Sequence, residues 1–172
     1  VPLDEAEAYA ILDRVGVPRA PAKVLRLPLG EVPELGFPFP VAVKVLARAA
    51  THKTDIGGVV LGVRDAGALR AAADAIVENA RRHGIAAEKI LVQPMQAGVG
   101  EALIGYRVDP DVGPTVLLAA GGVMTEIYRD RALRLAPVDH ATAHEMIAAV
   151  KGLALLAGFR GRPEGDIAAL AD

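Results

Sequence analysis

The run Val41–Leu46, VAVKVL, is apolar at odd and even positions alike and rich in β-branched residues, yet it carries Lys44 in its middle. Apolar residues on both parities belong to a strand covered on both faces. Such a strand demands neighbours on each side and a partner for the lysine. The surrounding chain supplies candidates. Residues 4–15 place Ala8, Ile11, Leu12 and Val15 at helical spacing, with acids at the start and Gly16 past the end, which predicts an amphipathic helix and its stop signal. A short strand is expected at 22–25. Pro28, Pro33, Pro38 and Pro40 then predict an extended connector over 28–40. Residues 58–63 read as a second strand after a polar loop. Asp65 is placed to cap a helix running to Arg82 that Gly84 closes, and 89–95 reads as a third strand completing a β-β-α-β lobe over 20–95.

The second half, 96–172, has a different grammar. Residues 101–108 and 114–119 flank Asp109, Pro110, Asp111, Val112 and Gly113, which predicts an antiparallel hairpin. Strands at 123–128 and 133–135 extend that sheet, Asp139 caps a helix to about Val150, and a glycine-interrupted helical segment follows. The fold class expected is α+β in two lobes, within a single domain of 172 residues.

Composition narrows the chemistry. Hydrophobic residues make up 52% and charged residues 23%, with a formal net charge of -2 and basic residues dispersed, so nucleic acid is not an expected partner. No apolar stretch approaches the roughly 18 residues of a membrane span. Asp4, Glu5 and Glu7 stand where a signal peptide would be basic, which leads to a cytoplasmic expectation. Absence of Cys removes disulfides and thiol nucleophiles, and absence of Ser removes a serine nucleophile. His, Lys, Thr and carboxylates are left for any covalent step.

The segment His52, Lys53, Thr54, Asp55, Ile56, Gly57, Gly58 lies between two strands just after Lys44. Paired glycines with exposed amides beside ammonium groups suit a phosphate, and a second cation reaching the same place suits a polyphosphate. The same residues also suit a polar hairpin loop whose glycines only make the turn. Gly121 and Gly122 precede Glu126, Asp130 and Arg134, either an acid and guanidinium set on one sheet face or a solvated surface. Glu101, after Gly98 and Gly100, either faces a cleft or is an edge-strand charge. Gly98-Val99-Gly100 is no dinucleotide fingerprint, because Leu103 holds the third glycine's place. His140 and His144 lack the glutamate and third ligand of a zinc site.

In order along the chain, FPVAVKV, THKTDIGGVVLGV, KILVQPM, GVGEALIGYRVDPDVGPTVLLAAGGV, TEIYRDRALRLAPVD and GFRGRP resemble the ATP-grasp domain of NDP-forming acyl-CoA synthetases, such as ADP-forming acetate-CoA ligase and related multidomain protein acetyltransferases. The resemblance implies an ATP-grasp fold whose two lobes enclose a nucleotide, with adenine against Val92, Gln93, Pro94 and Met95. It implies Lys44 and Arg134 on phosphates, with Lys53 beside them, Glu101 toward ribose or adenine, and Gly57 with Gly58 in a mobile loop over the phosphates. His52 is implied as a phosphoryl carrier between a separate CoA-binding domain or subunit and the nucleotide site. Imidazole is a competent nitrogen nucleophile near neutral pH, and the same residue also suits a hydrogen-bonded loop histidine with no part in the chemistry. The cofactor implied is ATP or ADP with Mg2+. Family members continue into a strand with the usual magnesium ligands, which this sequence, ending at Asp172, does not contain. The alternative implied is a nucleotide-binding or docking module of a protein acetyltransferase.

Overall fold

The computed structural model describes residues 3–50, 53–122 and 129–172, and the chain divides into two compact units, Val1–Gln96 and Ala97–Asp172. The first unit holds α1 (Glu5–Val15), β1 (Lys23–Arg26), β2 (Val41–Leu46), β3 (Val59–Val63), α2 (Ala66–Arg82) and β4 (Lys89–Pro94). Its four strands form one antiparallel sheet in the order β1-β4-β2-β3. β2 is therefore a central strand, which is why its sequence is apolar on both parities.

Alternation along the strands separates two faces. Val41, Val43 and Val45 share one face with Ile90, Val92 and Leu25, and α2 covers it with Leu69, Ala72, Ala73 and Ile76 in a single apolar cluster. The α2 residues recur at helical spacing, and each large aliphatic side chain removed from water contributes about 1.5–3 kcal/mol. The opposite face carries Lys44, paired across to Leu91, and Gln93, paired across to Ala42. Asp65 caps α2 by accepting the Ala68 N–H at 2.8 Å.

The second unit holds β5 (Ala102–Asp109), β6 (Gly113–Ala120), β7 (Arg131–Leu135), α3 (His140–Ala149), 3₁₀ turns at Lys151–Ala157 and Phe159–Gly161, and α4 (Ile167–Ala171). The sheet order is β5-β6-β7, antiparallel throughout. In the hairpin between β5 and β6 the Asp109 carboxylate accepts the Asp111 and Val112 N–H groups, and Gly113 takes a φ of 85° that an L side chain would resist. Leu118 and Ala132 of the sheet pack with Met146, Ile147, Val150, Leu153 and Leu156 in a separate core. The glycine-interrupted segment past α3 is tighter than an α-helix and ends at Gly158 in the left-handed region. The strand expected over 123–128 and the residue Glu126 lie outside the described residues.

Among the described residues no helix is long and apolar enough to cross a membrane.

Candidate functional site

α1 begins with a reciprocal cap. The Asp4 carboxylate accepts the Glu7 N–H at 2.9 Å while the Glu7 carboxylate accepts the Asp4 N–H at 2.8 Å. Glu5 thereby enters the first helical turn, where the helix dipole favours an anion. Its carboxylate accepts from two ammonium groups, Lys44 Nζ at 2.7 Å on Oε1 and Lys53 Nζ at 2.9 Å on Oε2. All three side chains are about three-quarters to four-fifths buried. Burial by itself pushes the Glu5 carboxyl up, but hydrogen bonds and charge from Lys44 and Lys53 outweigh it and hold the group below 4.5.

One turn on, the Tyr9 hydroxyl lies 3.2 Å from Glu5 Oε1 and 3.1 Å from Gln93 Oε1. Burial, then the Glu5 charge beside it, pushes the Tyr9 phenol up to about 12. The Arg19 guanidinium stacks over the Tyr9 ring at 4.8 Å from its centre and pairs with Asp13 at 2.7 Å. Glu7 adds a further ion pair to Arg48.

The amphipathic helix expected over residues 4–15 forms and stops at Gly16, but two of its four apolar positions, Ile11 and Val15, stay in solvent. α1 buries no side chain fully. Glu5, Ala8, Tyr9 and Leu12, each partly buried, share one stripe at i, i+3, i+4 and i+7, and Glu5 and Tyr9 of that stripe reach Lys44 and Gln93 of the sheet. Polar contacts to Lys44, Lys53 and Gln93 decide which face docks.

Lys53 owes its position to the loop that follows it. Gly58 donates its N–H to the Lys53 carbonyl at 2.7 Å, Gly57 donates to Thr54 at 3.0 Å, and the Gly58 carbonyl accepts from Val45 at 2.8 Å. Asn79 of α2 donates to the Gly57 carbonyl at 3.0 Å. Both glycine amides are thus engaged within the protein, and in this conformation neither is offered to a phosphate. Each glycine has a steric reason as well. Gly57 has a φ of 64°, and a Cβ on Gly58 would stand 2.7 Å from Val45 Cγ1 and 3.0 Å from the Lys53 carbonyl.

Of the segment expected to meet adenine, only Gln93 shares Lys44's face. Val92 is wholly buried on the α2 side, and Met95 is partly exposed with its N–H donated to the Pro40 carbonyl at 3.0 Å. The β1 ladder stops at the Lys23–Val92 pair, so beyond Val92 that edge of β4 has no strand partner among the described residues. Glu101 and Arg134 belong to the second unit. The Glu101 carbonyl accepts the Gly121 N–H at 2.7 Å, and a Cβ on Gly121 would sit 2.7 Å from that of Glu101, which explains the glycine. Arg134 is exposed on β7 with Nη1 on the Leu133 carbonyl at 2.9 Å. Asp130 accepts the Gly152 N–H at 2.6 Å. His140 lies 3.3 Å from Asp172. No three His, Asp or Glu side chains gather for a metal among the described residues. His52 lies outside them.

Glu5 and Tyr9 are the residues that sequence reasoning missed. Their signal was present in an acid and a tyrosine four apart on α1, but nothing local says which partner they meet.

A family model for the ATP-grasp domain matches residues 2–172. This chain belongs to the ATP-grasp family. The domain is 35% identical to the beta subunit of acetate–CoA ligase [ADP-forming] I of Pyrococcus furiosus, over 99% of this chain and 75% of the relative. It is 35% identical to acetate–CoA ligase [ADP-forming] I of Archaeoglobus fulgidus over 97% of this chain, which amounts to 25% of that enzyme's length. Among solved structures it resembles the dinucleotide-forming acetyl-coenzyme A synthetase 1 of Ca. Korarchaeum cryptofilum in complex with coenzyme A, Ca-AMPCP and HgCl+. There the TM-score is 0.84 and the identity 34%, over 99% of this chain and 76% of that one. The ATP-grasp domain thus spans a quarter of one relative and three-quarters of the other.

Proposed function

We propose that this ATP-grasp domain binds ATP or ADP and serves the phosphoryl-transfer half of an NDP-forming acyl-CoA synthetase, acyl-CoA + ADP + Pi = carboxylic acid + CoA + ATP. The observation that carries the reading is the convergence of the Lys44 and Lys53 ammonium groups on one carboxylate, since two cations gathered at a single oxyanion fit adjacent phosphate oxygens. Gln93 on the same face, and the side of β4 beyond Val92 that has no β1 partner among the described residues, suit a base bound through main-chain and amide groups. Glu101 and Arg134, with the Gly57–Gly58 loop, complete the proposed nucleotide contacts. Here the loop acts by holding Lys53 in place, because its own amides are engaged.

His52 is the proposed phosphoryl carrier. An imidazole nitrogen would form the P–N bond as the bridging P–O bond of ATP breaks, the electron pair leaving with ADP and the ring proton passing to solvent. Mg2+ would supply charge neutralisation on the phosphates; the described residues offer no ligand set for it, and none is assigned. CoA-binding domains or a separate subunit of the same synthetase are the proposed partners.

Incubating the full-length protein with Mg-ATP and analysing for acid-labile phosphohistidine tests this directly. Labelling that disappears in His52→Ala is expected; equal labelling of that variant removes the carrier role. Lys44→Met is expected to weaken ATP binding by about tenfold or more, the scale of one lost charge-assisted hydrogen bond, and calorimetry showing wild-type affinity would count against the phosphate site.

A further inference from the structure

The Glu5 carboxylate sits between Lys44 and Lys53 although no apolar packing of α1 requires it there, since the helix has no fully buried side chain. The two lysines come from different elements, a central strand and the loop after it. Their four-carbon stems are flexible and their charges repel, so left alone they would spread apart. Glu5 opposes this with one oxygen for each ammonium, Oε1 for Lys44 and Oε2 for Lys53. The carboxylate is itself held, because the Tyr9 hydroxyl can donate to Glu5 and accept from the Gln93 amide, whose oxygen and nitrogen are interchangeable at this contact. Two ammonium groups and one carboxylate leave a net single positive charge, and each ammonium commits one of its three donors to Glu5.

We infer that Glu5, braced by Tyr9, is a positioning residue that gathers Lys44 and Lys53 into a cradle for phosphate oxygens. The ligand rests on the nucleotide reading above; the gathering of the lysines does not. α1 is then part of the site's machinery, tied to the cations through Glu5 and to the β4 edge through Tyr9 and Gln93.

The test has two readouts on the complete chain. In the first, competitive acetylation followed by mass spectrometry measures the reactivity of Lys44 and Lys53, with the exposed Lys89 and Lys151 as internal references. Glu5→Gln should raise the rates at both Lys44 and Lys53 and leave the references unchanged. Glu5→Asp should restore part of the protection, and Tyr9→Phe should produce a smaller rise at the same two lysines. In the second, calorimetry with inorganic tripolyphosphate should show Glu5→Gln binding about tenfold more weakly, the scale of one charge-assisted hydrogen bond. Unchanged reactivity of the two lysines in Glu5→Gln, with circular dichroism showing it folded, would overturn the inference. So would tripolyphosphate binding by that variant as tight as wild type or tighter, because the carboxylate would then be a competitor for the cations. If Glu5→Gln fails to fold, Tyr9→Phe decides by the same two measurements. If the wild-type chain binds neither tripolyphosphate nor ATP, the nucleotide reading fails while lysine reactivity alone still decides for or against Glu5.

Discussion

Gly58 shows how a residue type chosen for one reason can look as if chosen for another. Beside two lysines, a glycine pair suggests open amides, whereas Gly58 donates to the Lys53 carbonyl and packs on Val45. Gly58→Ala is expected to cost about 1–3 kcal/mol, the range for a methyl forced into filled space. Urea denaturation measures it, and a variant of wild-type stability would show that the loop yields freely. Tyr9 offers a test by pH. Its phenol is raised from 10.0 to about 12 by burial and by the Glu5 charge. A folded-state pKa above the unfolded one means that the contribution is fully present below pH 10 and is lost as pH rises toward about 12. Wild-type melting temperature should therefore fall more steeply than that of Tyr9→Phe across this window, and superimposable curves would remove the contact from the stability account.

At the scale of elements, α1 is the part whose formation and whose docking obey different rules. Its ends are local: Asp4 and Glu7 make the capping box, and Gly16 closes it with a φ of 78°. Asp4→Ala is expected to cost the helix about 1 kcal/mol. Because α1 buries no side chain fully, that loss should appear as faster amide exchange in residues 5–15 with little change in β2 or α2. Acid should act on the same element. The Glu5 carboxyl is depressed below 4.5, so its contribution is complete above that pH and disappears as pH falls through the lower folded value. Exchange in α1 should rise in that acid window before the rest of the first unit opens, and simultaneous opening would contradict a helix held mainly by its ion pairs.

For the whole molecule, the two units are built on separate apolar clusters with no residue in common. Ile76 is wholly buried against the β2 face, and Ile76→Ala is expected to cost about 2–5 kcal/mol. Its signature should be accelerated exchange across β2, β4 and α2. Protection there equal to wild type would mean that the cluster closes over the missing side chain. Relatives of this ATP-grasp domain extend well beyond its length, so the synthetase activity is a question for the assembled protein, and phosphohistidine formation and acyl-CoA formation should be measured there.

Residue spacing by itself determined most of the elements, because caps, turns and two- or three-and-a-half-residue periods are settled among neighbours in the chain. Asp65 and Asp139 cap the helices expected of them, Gly113 turns the expected hairpin, and VAVKVL is the central strand its composition demanded. Lys44 could be picked out as a cation for the same reason, since a lysine within a buried strand is conspicuous without any partner in view, and Lys53 stood out by its place in the loop that carries the glycine pair. Only the tertiary structure decided what answers them. Glu5 lies 39 and 48 residues away along the chain, and Tyr9 lies 84 from Gln93, so no local rule links them. Sheet register brings Gln93 to the face of Lys44 and sends Val92 into the core, a difference of one residue that alternation fixes only once β2 and β4 are paired.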